Sequence, residues 1–432
     1  MSGPFGAGAL QYFSGAAEFY PYTIDQSVRF NDDDTAMLSK TFASASNRRT
    51  WTWSGWVKRG NIGNTHPLFV AGSSGSSVLQ CAIQTSTVAD RLALYNYTGS
   101  YNLNFATTQL FKDVAGWYHI VLKMDTTQAT STDRVKIYVN GDEVTSFSTS
   151  SYPSQNFETL VNTAASHRIG RNFDTAVSTK SLDGYLAEVN FIDGTALDAS
   201  SFGETKNGIW IPKQYTGSYG TNGFKLAFQD SAALGDDTSG NGNDFTATNL
   251  AATDQMLDTP TSNFATFNPL DNNNTSLFSE GNLEVGSATG SHLQGTRSTF
   301  AVTQNFYYEA CKLQSGTTNF HLGVATTTAD ISSTSNSGIY TKAQSSGSAG
   351  DIIMIAYSAD ANAMWSGKNG TWDNGASVAE IEAGTTTNAT HTGIEAESIA
   401  ALFLDQASSF SGSVVANFGQ DGTFAGNKTA QG

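Results

Sequence analysis

Thr50-Trp51-Thr52-Trp53-Ser54-Gly55-Trp56-Val57-Lys58 is the stretch on which the fold turns. Side chains of a strand alternate between its faces, so Trp51, Trp53, Gly55 and Val57 share one face. Two indoles on one face of a strand read as core. Working outward, further strand-like runs are Ser27–Phe30, Val78–Gln84, Leu92–Tyr97, Trp117–Met124, Val135–Val139, Gly184–Ile192 and Gly223–Phe228. Asn140-Gly141 predicts a two-residue hairpin, because both central positions of that turn need φ > 0. A polar stretch with Pro260 then reads as a connector over 250–262. Beyond it the pattern restarts at Asn305–Leu313, Phe320–Ala325, Asp351–Ser358, Ala363–Ser366, Ile399–Leu404 and Ser413–Phe418, with a second hairpin turn at Asn369-Gly370. Little reads as helix beyond a short turn at Ala196–Phe202, and there is no short repeat period. The expected fold is all-β: two tandem antiparallel sandwiches, at 25–249 and 263–432, behind an N-terminal arm over 1–24.

Composition agrees. The chain has 432 residues, 39% hydrophobic and only 14% charged, with 42 Gly and 7 Pro. Many short strands joined by Gly, Asn and Asp turns look like this. The net charge of −16 leaves no cationic footprint for nucleic acid, which is not expected as a partner. Cys81 and Cys311 fall in different expected domains and read as two separate thiols, not a disulfide or a zinc site. The opening residues lack the basic and apolar regions of a signal peptide, and no run approaches a transmembrane helix, so membrane insertion is not expected.

Several motifs, taken in order, resemble the laminin-G-like, concanavalin-type lectin/glucanase superfamily over residues 25 to about 235. They are Trp51–Lys58, Gly116-Trp117-Tyr118-His119-Ile120-Val121, Val135–Glu143, Arg168-Ile169-Gly170-Arg171 and Leu182–Val189. Residues 263–426 resemble SPRY domains through Asn305–Glu309, Gly323-Val324-Ala325, Gly350–Ile353, Trp365–Trp372 and Val415–Gln420. That resemblance implies a second face-to-face sandwich that binds proteins. The pairing, with Ile24–Asn31 after an aromatic leader and Asn417–Gly426 near the end, resembles structural proteins of marine tailed phages of the cyanophage and pelagiphage type. It implies a protein made in the host cytoplasm and carried on the virion surface. Longer relatives of that type continue beyond the residues of this chain.

Glu188-Val189-Asn190-Phe191-Ile192-Asp193 lies where laminarinase-type hydrolases of this fold carry three carboxylates. Alternation puts Glu188 and Asn190 on one face, and a bulge would be needed to add Asp193. Asn replaces the central Asp, so no catalytic residue and no enzyme is expected. Asp32, Asp33 and Asp34, and the loop Asp236–Asp244, are oxygen-rich turns of the kind Ca²⁺ takes, although no cofactor is required. Tyr95, Tyr97 and Tyr101, with Trp365 and Trp372, are the candidate sugar platforms. Phe5, Tyr12, Phe13, Phe19 and Tyr20 would anchor the arm to other virion proteins. The six histidines sit in no HExxH or GxSxG motif, and His119 reads as structural. The expected function is a non-enzymatic tail-fibre or tail-associated adhesin that binds a host surface glycan or protein. A capsid decoration protein bound to other virion subunits is the alternative, and a polysaccharide depolymerase comes third. A homo-oligomer is expected, without heptads to specify its order.

Overall fold

The computed structural model describes residues 19–84, 90–173, 180–273, 276–287, 294–302, 305–313, 320–344, 348–395, 398–404 and 412–429. The chain divides into two compact units, with the boundary between Asn263 and Phe264. Among the described residues no helix is long and apolar enough to cross a membrane.

The first unit is a sandwich of two antiparallel sheets. The strand Thr50–Arg59 lies near the middle of the first sheet, between Trp117–Asp125 and Gly184–Asp193. The sheet continues through Val135–Val139 and Asp142–Glu143 on one side, and through Ser27–Phe30 and Gln255–Met256 on the other. The second sheet runs Phe147–Ser151, Tyr101–Leu110, Arg91–Thr98, Ser77–Gln84, His66–Ser74, Ser166–Ile169, Met37–Thr41, Thr246–Thr248. Alternation behaves as expected: Trp51, Trp53 and Val57 enter the core, where Trp53 stacks on Phe69. Each such buried side chain contributes roughly 1.5–3 kcal/mol. Asn140 and Gly141 adopt φ of 50° and 89°, which pairs Val139 with Asp142 as the hairpin requires.

One feature departs from the sequence expectation and a second lies outside it. Residues 250–262 are not a connector. Gln255–Met256 pairs with Ser27–Val28, and Asp258 is fully buried against Lys58 and Trp117. A polar segment can close a sheet when a buried counter-charge waits for it, and that pairing leaves no hydrophobic pattern. The outer face of the first sheet is also covered. Trp56, His119 and Trp210 stack in a row beneath the hairpin Gly203–Lys206/Ile209–Pro212. His119 Nδ1 accepts from the Trp210 indole at 3.0 Å, which leaves Nε2–H to face Ser54 Oγ at 2.9 Å. Burial pushes this imidazole down to about 3, and both ring nitrogens are taken up by Trp210 and Ser54.

The second unit is another sandwich. Its five-stranded sheet runs Phe267–Asn272, Gln294–Val302, Ser398–Leu404, Phe320–Thr326, Ile339–Gln344. The other sheet runs Ser276–Ser279, Glu284–Ser287, Ser413–Asn417, Phe306–Lys312, Ile352–Ser358, Ala363–Lys368, Thr371–Trp372, with His391–Thr392 also beside Ala363–Lys368. Phe306, Tyr308, Ile353, Ile355, Leu402 and Phe418 fill the space between them. The Tyr308 hydroxyl bridges strands inside that core, donating to Ala401 O at 3.1 Å and accepting from Gly323 N at 3.0 Å.

Candidate functional site

The tyrosines come together. In the second sheet of the first sandwich Leu79, Cys81, Leu94 and Phe105 point into the core, so Gln80, Tyr95 and Asn104 point out. Strand register sets Ser39, Arg168, Val70, Gln80, Tyr95, Asn104 and Ser151 side by side across seven strands. The neighbouring row is Ser166, Gly72, Val78, Tyr97 and Tyr101. Tyr101 is 57% exposed, and its ring sits 5.7 Å from Tyr95 and 5.1 Å from Tyr97, edge to face in both cases. Burial, with Tyr101 beside it, pushes the Tyr95 phenol up to about 12. Gln80 is 2% exposed and its Oε1 has no hydrogen-bond partner, and Arg168 Nε is in the same position. A buried polar atom left unpaired costs about 1–3 kcal/mol. Sequence reading missed Gln80 and Arg168, because only register places them beside the tyrosines.

The carboxylates of Gly184–Asp193 are committed to structure. A bulge between Ala187 and Asn190, with Glu188 at φ 48°, puts Ala187, Glu188 and Asn190 outward and returns Val189 and Phe191 to the core. Glu188 pairs with Lys225 at 2.8 Å and accepts from the Tyr22 hydroxyl at 2.9 Å. Asp193 accepts from Asn47 N, Asn162 Nδ2 and Asn222 N, at 3.2, 2.8 and 3.0 Å. The bulge exists, but it does not bring Asp193 round to Glu188, and neither carboxylate is left open for a substrate.

The oxygen-rich loops are hydrogen-bonded within the chain. Asp33 and Asp34 are exposed, while Asp32 is buried and its Oδ2 accepts from Asn61 and Asn64, both at 3.2 Å. Asp237 accepts from Lys225 N, Ser239 N, Ser239 Oγ and Asn243 N. Asn241 and Asn243 donate to carbonyls of residues 220–223, so this loop is a hydrogen-bonded clasp. Among the described residues no three His, Cys, Asp or Glu side chains gather as a metal site.

The two tryptophans of the second unit separate. Trp365 is 0% exposed and packs with Ala356, Ala363 and Ile381, so it cannot act as a platform. Trp372, 9% exposed, closes the row Asn417, Glu309, Met354, Gly367, Trp372 that floors an open pocket of about 710 Å³. Ile352, Val378, Phe424 and Lys428 also line it. Burial raises the Glu309 carboxyl above its usual range, opposed by its hydrogen bond to the Tyr307 hydroxyl.

Of the expected anchors, Phe5, Tyr12 and Phe13 lie outside the described residues. Phe19 and Tyr20 lie against their own sandwich: Lys206 Nζ donates to Phe19 O at 2.8 Å, and the two rings meet edge to face.

Residues 30–201 match the family model of the concanavalin A-like lectin/glucanases superfamily. No curated protein sequence matches the chain. Among solved structures, a putative carbohydrate binding protein from Bacteroides ovatus is 15% identical, with a TM-score of 0.35 over 52% of this chain and 59% of that one. Domains LG4-5 of the mouse laminin alpha1 chain are 10% identical, with a TM-score of 0.33 over 92% and 88%. The SPRY domain of human HERC1 is 14% identical, with a TM-score of 0.27 over 35% and 96%. Two antiparallel sandwiches, the first concanavalin A-like, define the class of fold.

Proposed function

We propose that the chain is a non-enzymatic binding protein whose first sandwich takes a surface glycan on the tyrosine face. The observation that carries this reading is the exposed Tyr101, edge to face with Tyr95 and Tyr97, next to the unpaired Gln80 Oε1. A pyranose presents C–H groups on its faces and hydroxyls at its rim. The rings offer an apolar surface to the former, and Asn104 and the half-buried Arg168 offer polar partners to the latter. No reading as a depolymerase is put forward, since Glu188 and Asp193 are held by Lys225 and by three N–H donors.

We further propose that the protein is carried on the surface of a tailed-phage particle as an adhesin. Its motif order supports this, as does its acidic, weakly charged composition. Capsid decoration is the competing placement. Glycan-array binding by the whole chain, repeated with Tyr101→Ala, tests the site. Binding by the wild type and its loss in the variant are expected; equal binding by both would remove the tyrosine face from consideration. Immunogold labelling of particles tests placement, with label at the tail expected and uniform label over the head favouring decoration.

A further inference from the structure

We propose that Lys58 and Asn263 form an intramolecular isopeptide bond, with Asp258 as the proton carrier. Lys58 Nζ lies 2.7 Å from Asp258 Oδ2 and 2.8 Å from Asn263 Oδ1. The Lys58 and Asp258 side chains are both fully buried. The geometry has a local cause. Thr259 and Ser262 pair across a tight turn, with N···O distances of 3.0 and 3.1 Å, and this brings the flanking Asp258 and Asn263 alongside each other. Both then reach the same ammonium on the strand Thr50–Arg59. Aromatic rings wall the site: Trp117 Nε1 donates to Asp258 Oδ1 at 3.1 Å, and Lys58 Nζ lies 5.9 Å from the Tyr185 ring centre.

Each participant has a defined part. An ammonium and a carboxylate in a water-poor site can exchange a proton and become neutral, because desolvation penalises both charges. Asp258 and the more distant Asp113 oppose the loss of charge on Lys58, while burial favours it. The Asn263 amide is held at both ends, since its Nδ2 donates to Ala115 O at 2.8 Å. The amide group is thereby held next to the amine, which lowers the entropic cost of their meeting. Lys58 passes one proton to Asp258, and the free amine attacks Asn263 Cγ. A C–N bond forms between Lys58 Nζ and Cγ while the Cγ–Nδ2 bond breaks. The second amine proton and the proton held by Asp258 go to the departing nitrogen, which leaves as ammonium. Asp258 is again a carboxylate, and no oxidant, reductant or cofactor is needed. Asn263 is exposed on its outer side, which gives the ammonium a way out.

Such a link would tie the central strand of the first sandwich to the last residue of that unit. Disulfides cannot do this here, because Cys81 and Cys311 are both buried and free. The test is the intact mass of the full-length folded protein under denaturing conditions, followed by peptide mapping. The expected mass is lighter than that of the sequence by one ammonia, with one branched peptide joining the Lys58 and Asn263 segments. Asn263→Ala keeps the Lys58–Asp258 ion pair and should show its full sequence mass. Lys58→Arg keeps the positive charge without a competent amine and should do the same. A full sequence mass in the wild-type protein overturns the proposal and leaves a plain ion pair. So does the same ammonia loss in Asn263→Ala, which would place the loss elsewhere.

Discussion

The two sandwiches share an architecture but place their charges differently. The first carries charge inside: Lys58–Asp258 and Arg59–Asp90 are ion pairs with almost no exposed side-chain surface, and Arg29 meets Asp254 at 3.1 Å. It also buries His66, His119 and His167 as neutral imidazoles. The second keeps its pairs nearer water, as with Lys368–Asp351 and Lys342–Asp373, and Glu309, a carboxyl raised by burial, borders an open pocket. A buried pair adds little net stability over an apolar substitute, yet losing one member leaves an uncompensated charge in the interior. The first sandwich should therefore be the more specific assembly and the more easily broken.

Five measurements can break or sharpen this contrast. The largest effect is expected from Asp90→Ala, which strands the Arg59 guanidinium and should destabilise the first sandwich by about 3–5 kcal/mol in chemical denaturation. Next comes acid. His119 and His167 are pushed down to about 3 and about 4 by burial, with the Ala165 carbonyl opposing in part for His167. Below the ordinary histidine value of 6.5 the unfolded chain takes up protons that the folded one refuses. Their stabilisation is thus complete above pH 6.5 and falls steadily as the pH drops toward 4, at about 1.4 kcal/mol per pH unit for each group. The five indoles of the first unit (Trp51, Trp53, Trp56, Trp117 and Trp210) should report this loss by fluorescence. Glu309 has the opposite sign: its raised value means stability is lost as pH rises through it, so Glu309→Gln should stabilise the second sandwich at neutral pH. Lys368→Ala, which breaks a pair with a 38% exposed lysine, should cost no more than about 1 kcal/mol. Smallest in stability is Tyr101→Ala, within about 0.5 kcal/mol, although it should abolish glycan binding.

The parts of the fold that alternate and turn were readable from the chain. Trp51 and Trp53 had to be core on periodicity alone, and Asn140-Gly141 and Asn369-Gly370 adopt the positive φ their identities imply. Three things were not readable, each for a physical reason. Residues 250–262 look like a linker because they enter the sandwich through Asp258, and a counter-charge has no periodic signature. Trp365 and Trp372 look equivalent beside their hairpin, yet opposite ends of one small apolar cluster bury the former and leave the latter at a pocket rim. Gln80 and Arg168 acquire meaning only through pairing of strands far apart in sequence.

The order of synthesis gives the late partners of Lys58 and Arg29 one further consequence. Asp258 follows Lys58 by 200 residues, and Asp254 follows Arg29 by 225. While the ribosome is still translating the body of the first sandwich, both cations belong to an interior whose counter-charges have not been made. Closing the nascent domain before residue 258 has left the exit tunnel would bury both cations without those carboxylates, which is costly. Completion of the first sandwich is thus expected to wait on its last segment.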